Sequence, residues 1–123
     1  MTMTNHSPDA LLHKDRICSY LKLNSTAHKP IVSRKLQGLW NISDLTVRQA
    51  VALLRDDGMP IASGSKGFYY ATTAGELEDT INHLRERVIG ISKRISSLTS
   101  TQNKMRHDGN GQGLLFTGLE DDE

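Results

Sequence analysis

Arg48 and Gln49 stand side by side near the start of a segment with helically spaced apolar residues, and their types carry a specific chemistry. A guanidinium donates two parallel hydrogen bonds to guanine, and a carboxamide pairs bidentately with adenine. Ser43, Asp44, Leu45 and Thr46 lie just ahead of them. Short polar and basic side chains at the N-terminal end of a helix are what base edges in a major groove require, although which base each would meet is left open. Arg34 and Lys35 before this segment suit backbone phosphates, and Lys66 after it suits phosphate or the minor groove. A second group lies in the glycine-rich stretch GNGQGLLFTG, where Gln112, Leu115 and Phe116 combine one polar orienting amide with two apolar anchors. Those are the parts of a short docking peptide presented from an extended chain. Folding of Leu114 to Phe116 back onto the domain, or against the end of the preceding helix, remains the competing expectation.

Other chemistries find little footing. His6, His13, His28, His83 and His107 are scattered without metal-ligand spacing. Asp56 and Asp57 are adjacent at a helix end, which suits termination better than acid–base catalysis. GNGQG and GSKG lack the Lys-Ser/Thr pair and the strand-to-helix setting of a phosphate loop. Cys18, the single cysteine, permits no internal disulfide, fits a reducing compartment, and between Ile17 and Tyr20 reads as a small core residue. The expectation is a chain that is not an enzyme and needs no metal and no cofactor.

The elements that would position these groups follow from pattern and punctuation. Residues 1–6 read as a disordered N-terminus. Ser7-Pro8-Asp9 supplies a cap, a first-turn proline and a first-turn acid. Leu11, Leu12, Ile17, Tyr20, Leu21 and Leu23 then make an amphipathic helix ending near Asn24. Pro30 keeps its predecessor out of helix, and Ile31-Val32 reads as a very short strand. Ser33 is expected to cap a short helix with Leu36, Leu39 and Trp40 facing inward. After a tight Asn-Ile-Ser turn, Ser43 caps a third helix from about Asp44 to Asp57. Val47, Ala50, Val51 and Leu54 are its buried stripe, with Thr46, Arg48, Gln49 and Arg55 on exposed faces. Gly58 ends it. Ile61-Ala62, a Gly64-Ser65-Lys66-Gly67 turn and Phe68-Tyr69-Tyr70 have the pattern of a β-hairpin. Thr73 to Glu76 reads as a capping box for a long helix that the stretch DGNG should end past His107.

Helix, short strand, helix, turn, helix and two-stranded wing is the order of a winged helix-turn-helix domain. The stretch SDLTVRQAVALLRDDGMPIASGSKGFYY resembles the N-terminal winged helix of biotin-ligase-type repressors. Arg55-Asp56-Asp57-Gly58 and Gly64-Ser65-Lys66-Gly67-Phe68 match that family's helix-ending turn and wing in order and spacing, over roughly residues 11 to 71. The resemblance implies duplex DNA binding through Arg34, Lys35, Ser43, Thr46, Arg48, Gln49 and Lys66. The ligase catalytic domain has no counterpart, so its activity is not implied. The spacing Gln112-x-x-Leu115-Phe116 is similar to the peptide by which bacterial polymerases and clamp-associated proteins dock on the sliding clamp. That family has Leu second and Ser or Asp third, where this chain has Gly113 and Leu114.

The long helix carries Leu77, Ile81, Leu84, Val88, Ile91, Ile95, Leu98 and Met105, with Gln102 filling the remaining slot, at alternating steps of four and three, a heptad seam over about four periods. Two copies of such a seam bury each other, so a homodimer is expected. Arg85, Arg87 and Arg94 beside the seam find few acidic partners, so parallel pairing gains little from salt bridges, and antiparallel or higher-order packing stays open beside it. The first two turns are also able to pack on their own domain. The chain has 123 residues, 37% hydrophobic and 24% charged, enough for one small domain with extensions. Its net charge of +1 conceals an acidic tip, because residues 1–119 carry 15 basic against 10 acidic side chains. That body permits nucleic-acid binding without requiring it.

The reading is a mainly α chain with a small β-hairpin (α+β): residues 1–6, a winged helix over 7–72, a dimerisation helix over 73–107 and a tail over 108–123. Without a leader-like apolar run or an 18-residue apolar stretch, the cytoplasm of a bacterial or phage-infected cell is the expected location. The expected role is a replication-associated or origin-binding factor. A transcriptional repressor and a winged-helix adaptor that binds protein without DNA are the alternatives.

Overall fold

The computed structural model describes residues 8–112, with side-chain surroundings for 8–108. The expectations for residues 1–6 and for Leu115 and Phe116 lie outside the described residues, as does the side chain of Gln112. The elements run α1 (Pro8–Asn24), α2 (Ser33–Trp40), α3 (Asp44–Asp56), β1 (Ile61–Gly64), β2 (Gly67–Tyr70) and α4 (Ala74–Gln112). The fold is mainly helical with a small two-stranded antiparallel sheet, the α+β class. By contact the chain divides into two compact units, one up to Asn82 and one from His83 onward. No described helix is long and apolar enough to cross a membrane.

In the first unit the core is built from one stripe of each helix. Ile17 and Leu21 of α1, Leu36 of α2, Val47, Ala50, Val51 and Leu54 of α3, and Ile61 of β1 are buried together. Cys18, Tyr20, Trp40, Phe68 and Tyr70 pack against them half-buried. The α1 stripe differs from the expected one. Ala10, His13, Ile17 and Leu21 face inward, while Leu11, Leu12 and Leu23 are exposed. Residues at i, i+3, i+7 and i+11 share one face of a 3.6-residue helix, and the flanking leucines fall off it. Leu39 is likewise 41% exposed although expected inside, because Leu36 and Trp40 already occupy the inner face of a two-turn helix.

Turn chemistry fixes the boundaries. Asn41 takes the left-handed conformation (φ 54°) at the end of α2 and donates its N–H to the Gln37 carbonyl. Asparagine tolerates that region better than most non-glycine residues. At the end of α3, Met59 N–H reaches the Leu54 carbonyl at 2.9 Å and Gly58 N–H the Arg55 carbonyl at 3.0 Å. With φ of 90° at Gly58 this is a Schellman end. The hairpin pairs Ile61 with Tyr70 and Gly64 with Gly67, leaving Ser65 and Lys66 at the tip. Ile31 bridges the outer side of β2 through reciprocal bonds with Phe68 of 2.7 and 2.8 Å, so the very short strand is a single-residue bridge.

α4 begins as expected in part. Thr73 Oγ1 accepts from Glu76 N–H, but the Glu76 carboxylate accepts from Thr72 N–H at 2.8 Å, one residue earlier than a capping box places it. The other end is a clear departure, since α4 continues to Gln112 instead of stopping after His107. Each glycine in Gly109-Asn110-Gly111 costs about 1 kcal/mol against alanine but leaves the helical hydrogen-bond pattern possible.

Candidate functional site

Three segments of the first unit converge. The Ser43 side chain accepts from Thr46 N–H at 3.0 Å, fixing where α3 starts. From the next residue, one Asp44 carboxylate oxygen accepts from the Ser33 hydroxyl at the start of α2. The start of α2 in turn lies against the hairpin. A Cβ added at Gly67 would stand 2.3 Å from the Ile31 carbonyl oxygen and 2.8 Å from Val32 N. Only glycine permits that approach, and φ of 127° makes the same demand. The first turns of α2 and α3 and the base of the hairpin tip are thereby held as neighbours.

Arg34 and Lys35 are exposed on the first turn of α2, Lys66 is exposed at the hairpin tip, and Arg48 is exposed one turn into α3. Gln49 is half-buried beside it and has an interaction of its own. Thr46 is a correction. It is only 6% exposed, and its hydroxyl oxygen accepts from Ser43 Oγ at 3.0 Å. As the third residue of α3 it turns toward the core beside Val47, so it cannot offer its side chain to a groove. Ser43 is solvent-exposed, but its hydroxyl is committed to the helix start. Arg55 is not a free surface cation either, since Nε donates to the Ile61 carbonyl at 2.8 Å and an Nη to Ser63 Oγ at 3.2 Å, tying α3 to β1.

Ser33 is a second correction. Val32 is the N-cap residue of α2 with no side-chain cap, and the Ser33 hydroxyl goes to Asp44 instead. The Ser33 hydroxyl donates to the Asp44 carboxylate in a charge-assisted bond, and its oxygen accepts from Gln37 Nε2 at 3.1 Å. Asp44 also meets Arg48 Nε at 2.8 Å through its other oxygen. That i,i+4 spacing was visible in the sequence, whereas its union with Ser33 and Gln37 was not. Between Asp15 and Asp56 the chain has seven Lys and Arg and only this one acid.

The remaining expected residues lie on α4. Leu77 is half-buried in the first unit. Thr80, which no motif singled out, is 5% exposed; its hydroxyl accepts from Ser63 N–H at 3.0 Å and donates to the Ser63 carbonyl at 3.2 Å. Ile81 is 44% exposed and Leu84 39%, so the first turns bury little of the seam. In the second unit Val88, Ile91, Ile95 and Leu98 are all exposed, with Leu98 at 70%.

Burial, and then the Asp15 carboxylate, push the Cys18 thiol up from its ordinary range, which disfavours a reactive thiolate. Among the described residues no three His, Cys, Asp or Glu side chains stand close enough to share a metal ion. Comparison with protein-family models, with curated proteins and with solved structures finds no match to this chain.

Proposed function

We propose that this chain is a duplex-DNA-binding protein of the winged helix-turn-helix kind, self-associating through α4 and recruited to a bacterial sliding clamp by its C-terminal peptide. The observation that carries the DNA reading is the convergence of the first turn of α2, the first turn of α3 and the hairpin tip, with Arg34, Lys35, Arg48 and Lys66 exposed on them. In such a domain α3 enters the major groove with Arg48 and Gln49 toward base edges. Lys66 on the wing and Arg34 and Lys35 on α2 contact phosphate. The exposed seam from Val88 to Leu98 supports pairing of two copies, which would present two such surfaces to a repeated or palindromic site. The clamp half rests on Gln112, Leu115 and Phe116 and on the resemblance alone. A repressor would share the DNA surface and have no use for the clamp.

An adaptor reading has one observation in its favour. Leu45, at the second position of α3, is 62% exposed, and an apolar side chain there suits a protein partner as well as a thymine methyl group. Fluorescence anisotropy with a labelled duplex at several salt concentrations separates the readings. The expected outcome is salt-dependent binding that the triple variant Arg48→Ala, Gln49→Ala, Lys66→Ala loses. Undiminished binding by that variant rejects the surface, and no binding by the native chain leaves the adaptor. Titration of a peptide of residues 109–123 against a bacterial sliding clamp tests the recruitment half, with saturable binding expected; its absence favours repression over replication.

A further inference from the structure

From the side-chain network between α2 and α3 we infer that Asp44 is a positioning residue that aims Arg48 and thereby sets a guanine preference in the bound DNA, an inference that rests on the duplex-binding reading above. A lone carboxylate at the front of a cationic surface is the wrong charge for contacting phosphate, and its bonds give it another task. The network runs through four side chains. Gln37 Nε2 donates to Ser33 Oγ at 3.1 Å, and Ser33 Oγ donates to Asp44 Oδ1. Asp44 Oδ2 then takes Arg48 Nε at 2.8 Å.

Each link removes a freedom from the next. Ser33 comes from a different helix, so it fixes the carboxylate against rotation in a way that an i,i+4 pair alone does not. The carboxylate engages the Nε edge of the guanidinium, while the side chain of Arg48 remains 72% exposed. The two Nη groups form the edge that makes parallel bonds to O6 and N7 of guanine. Arginine otherwise loses much rotamer freedom on binding, and a planar fork held beforehand loses less. The pair also screens the cation from nonspecific phosphate contacts, so Asp44 trades bulk affinity for discrimination.

That trade gives opposite signs in two measurements. Selection from a randomised duplex library with the native protein is expected to enrich a guanine, and selection with Arg48→Ala to lose it. For Asp44→Asn the affinity for a scrambled duplex should rise a few-fold, because a negative charge facing DNA is removed. Its preference for the selected duplex over a guanine-to-adenine substituted one should fall by about tenfold. Ser33→Ala, which keeps the carboxylate charge, should lower that preference in the same direction. A guanine that survives Arg48→Ala overturns the inference. So does an equal rise for both duplexes in Asp44→Asn, which makes Asp44 a repulsive charge only. A parallel fall of both affinities together with the thermal midpoint makes it a structural tie and overturns the inference equally. Failure of the native protein to bind any duplex removes the DNA reading itself, and the inference with it.

Discussion

At the scale of single residues, the candidate surface depends on positions whose side chains never reach it. Gly67 has no side chain, and that lack lets the hairpin close on the carbonyl of Ile31. Gly67→Ala combines a φ of 127° with a contact of 2.3 Å to backbone that has nowhere flexible to go. The expected cost is about 2 kcal/mol or more, read as a lower urea midpoint. An unshifted midpoint would mean that the hairpin does not close on Ile31 in solution. Thr46 teaches a related point. Its type and its place in the chain fit a base contact, but helix geometry turns it inward and Ser43 takes its hydroxyl.

At the scale of elements, α4 does two separate things along its length. Its first turns complete the sheet, because the Thr80 hydroxyl serves both the N–H and the carbonyl of Ser63 on the free edge of β1. Thr80→Val keeps the volume and leaves both backbone groups unpaired. We expect a loss of about 1–3 kcal/mol in urea unfolding, and no loss would show that water replaces the hydroxyl without penalty. Farther along, the seam is exposed and continuous, with Val88 at 62% and Ile95 at 60%. Sedimentation at micromolar concentration should give a dimer for the native chain. The pair Val88→Asp, Ile95→Asp should give a monomer, since two carboxylates per strand at core positions of a paired seam would be buried without partners. A native monomer would remove the seam from the account.

At the scale of the whole molecule, charge distribution decides more than net charge. A value of +1 for the chain hides a stretch from Asp15 to Asp56 whose charged side chains between those ends are seven basic and one acidic. If Arg34, Lys35 and Lys66 each neutralise a phosphate, the logarithm of the binding constant should fall with that of salt by about 0.9 per contact. Changing Lys66 alone to Ala should make that slope shallower by about one contact, uniformly across DNA sequences. An unaltered slope would take the hairpin tip out of the contact surface.

Much of the architecture was legible in local signals. The stripe Val47, Ala50, Val51, Leu54, the Ser43 cap, the Gly58 stop and the hairpin around Ser65-Lys66 all depend on contacts a few residues apart, and all are present. Periodicity located the first helix but misassigned its inward face, because Leu11, Leu12 and Leu23 are as apolar as the residues that the core accepts. The glycines after His107 promised a stop that propensity alone does not enforce. By itself, then, the sequence determined the kinds of element, their order and the basic character of the segment that holds Arg34, Lys35 and Arg48. The tertiary structure decided which polar groups are at liberty. Arg55 has its partners on β1, and Ser33 and Asp44 meet across α2 and α3; hydrogen-bond partners brought together by folding leave no periodic trace in the chain.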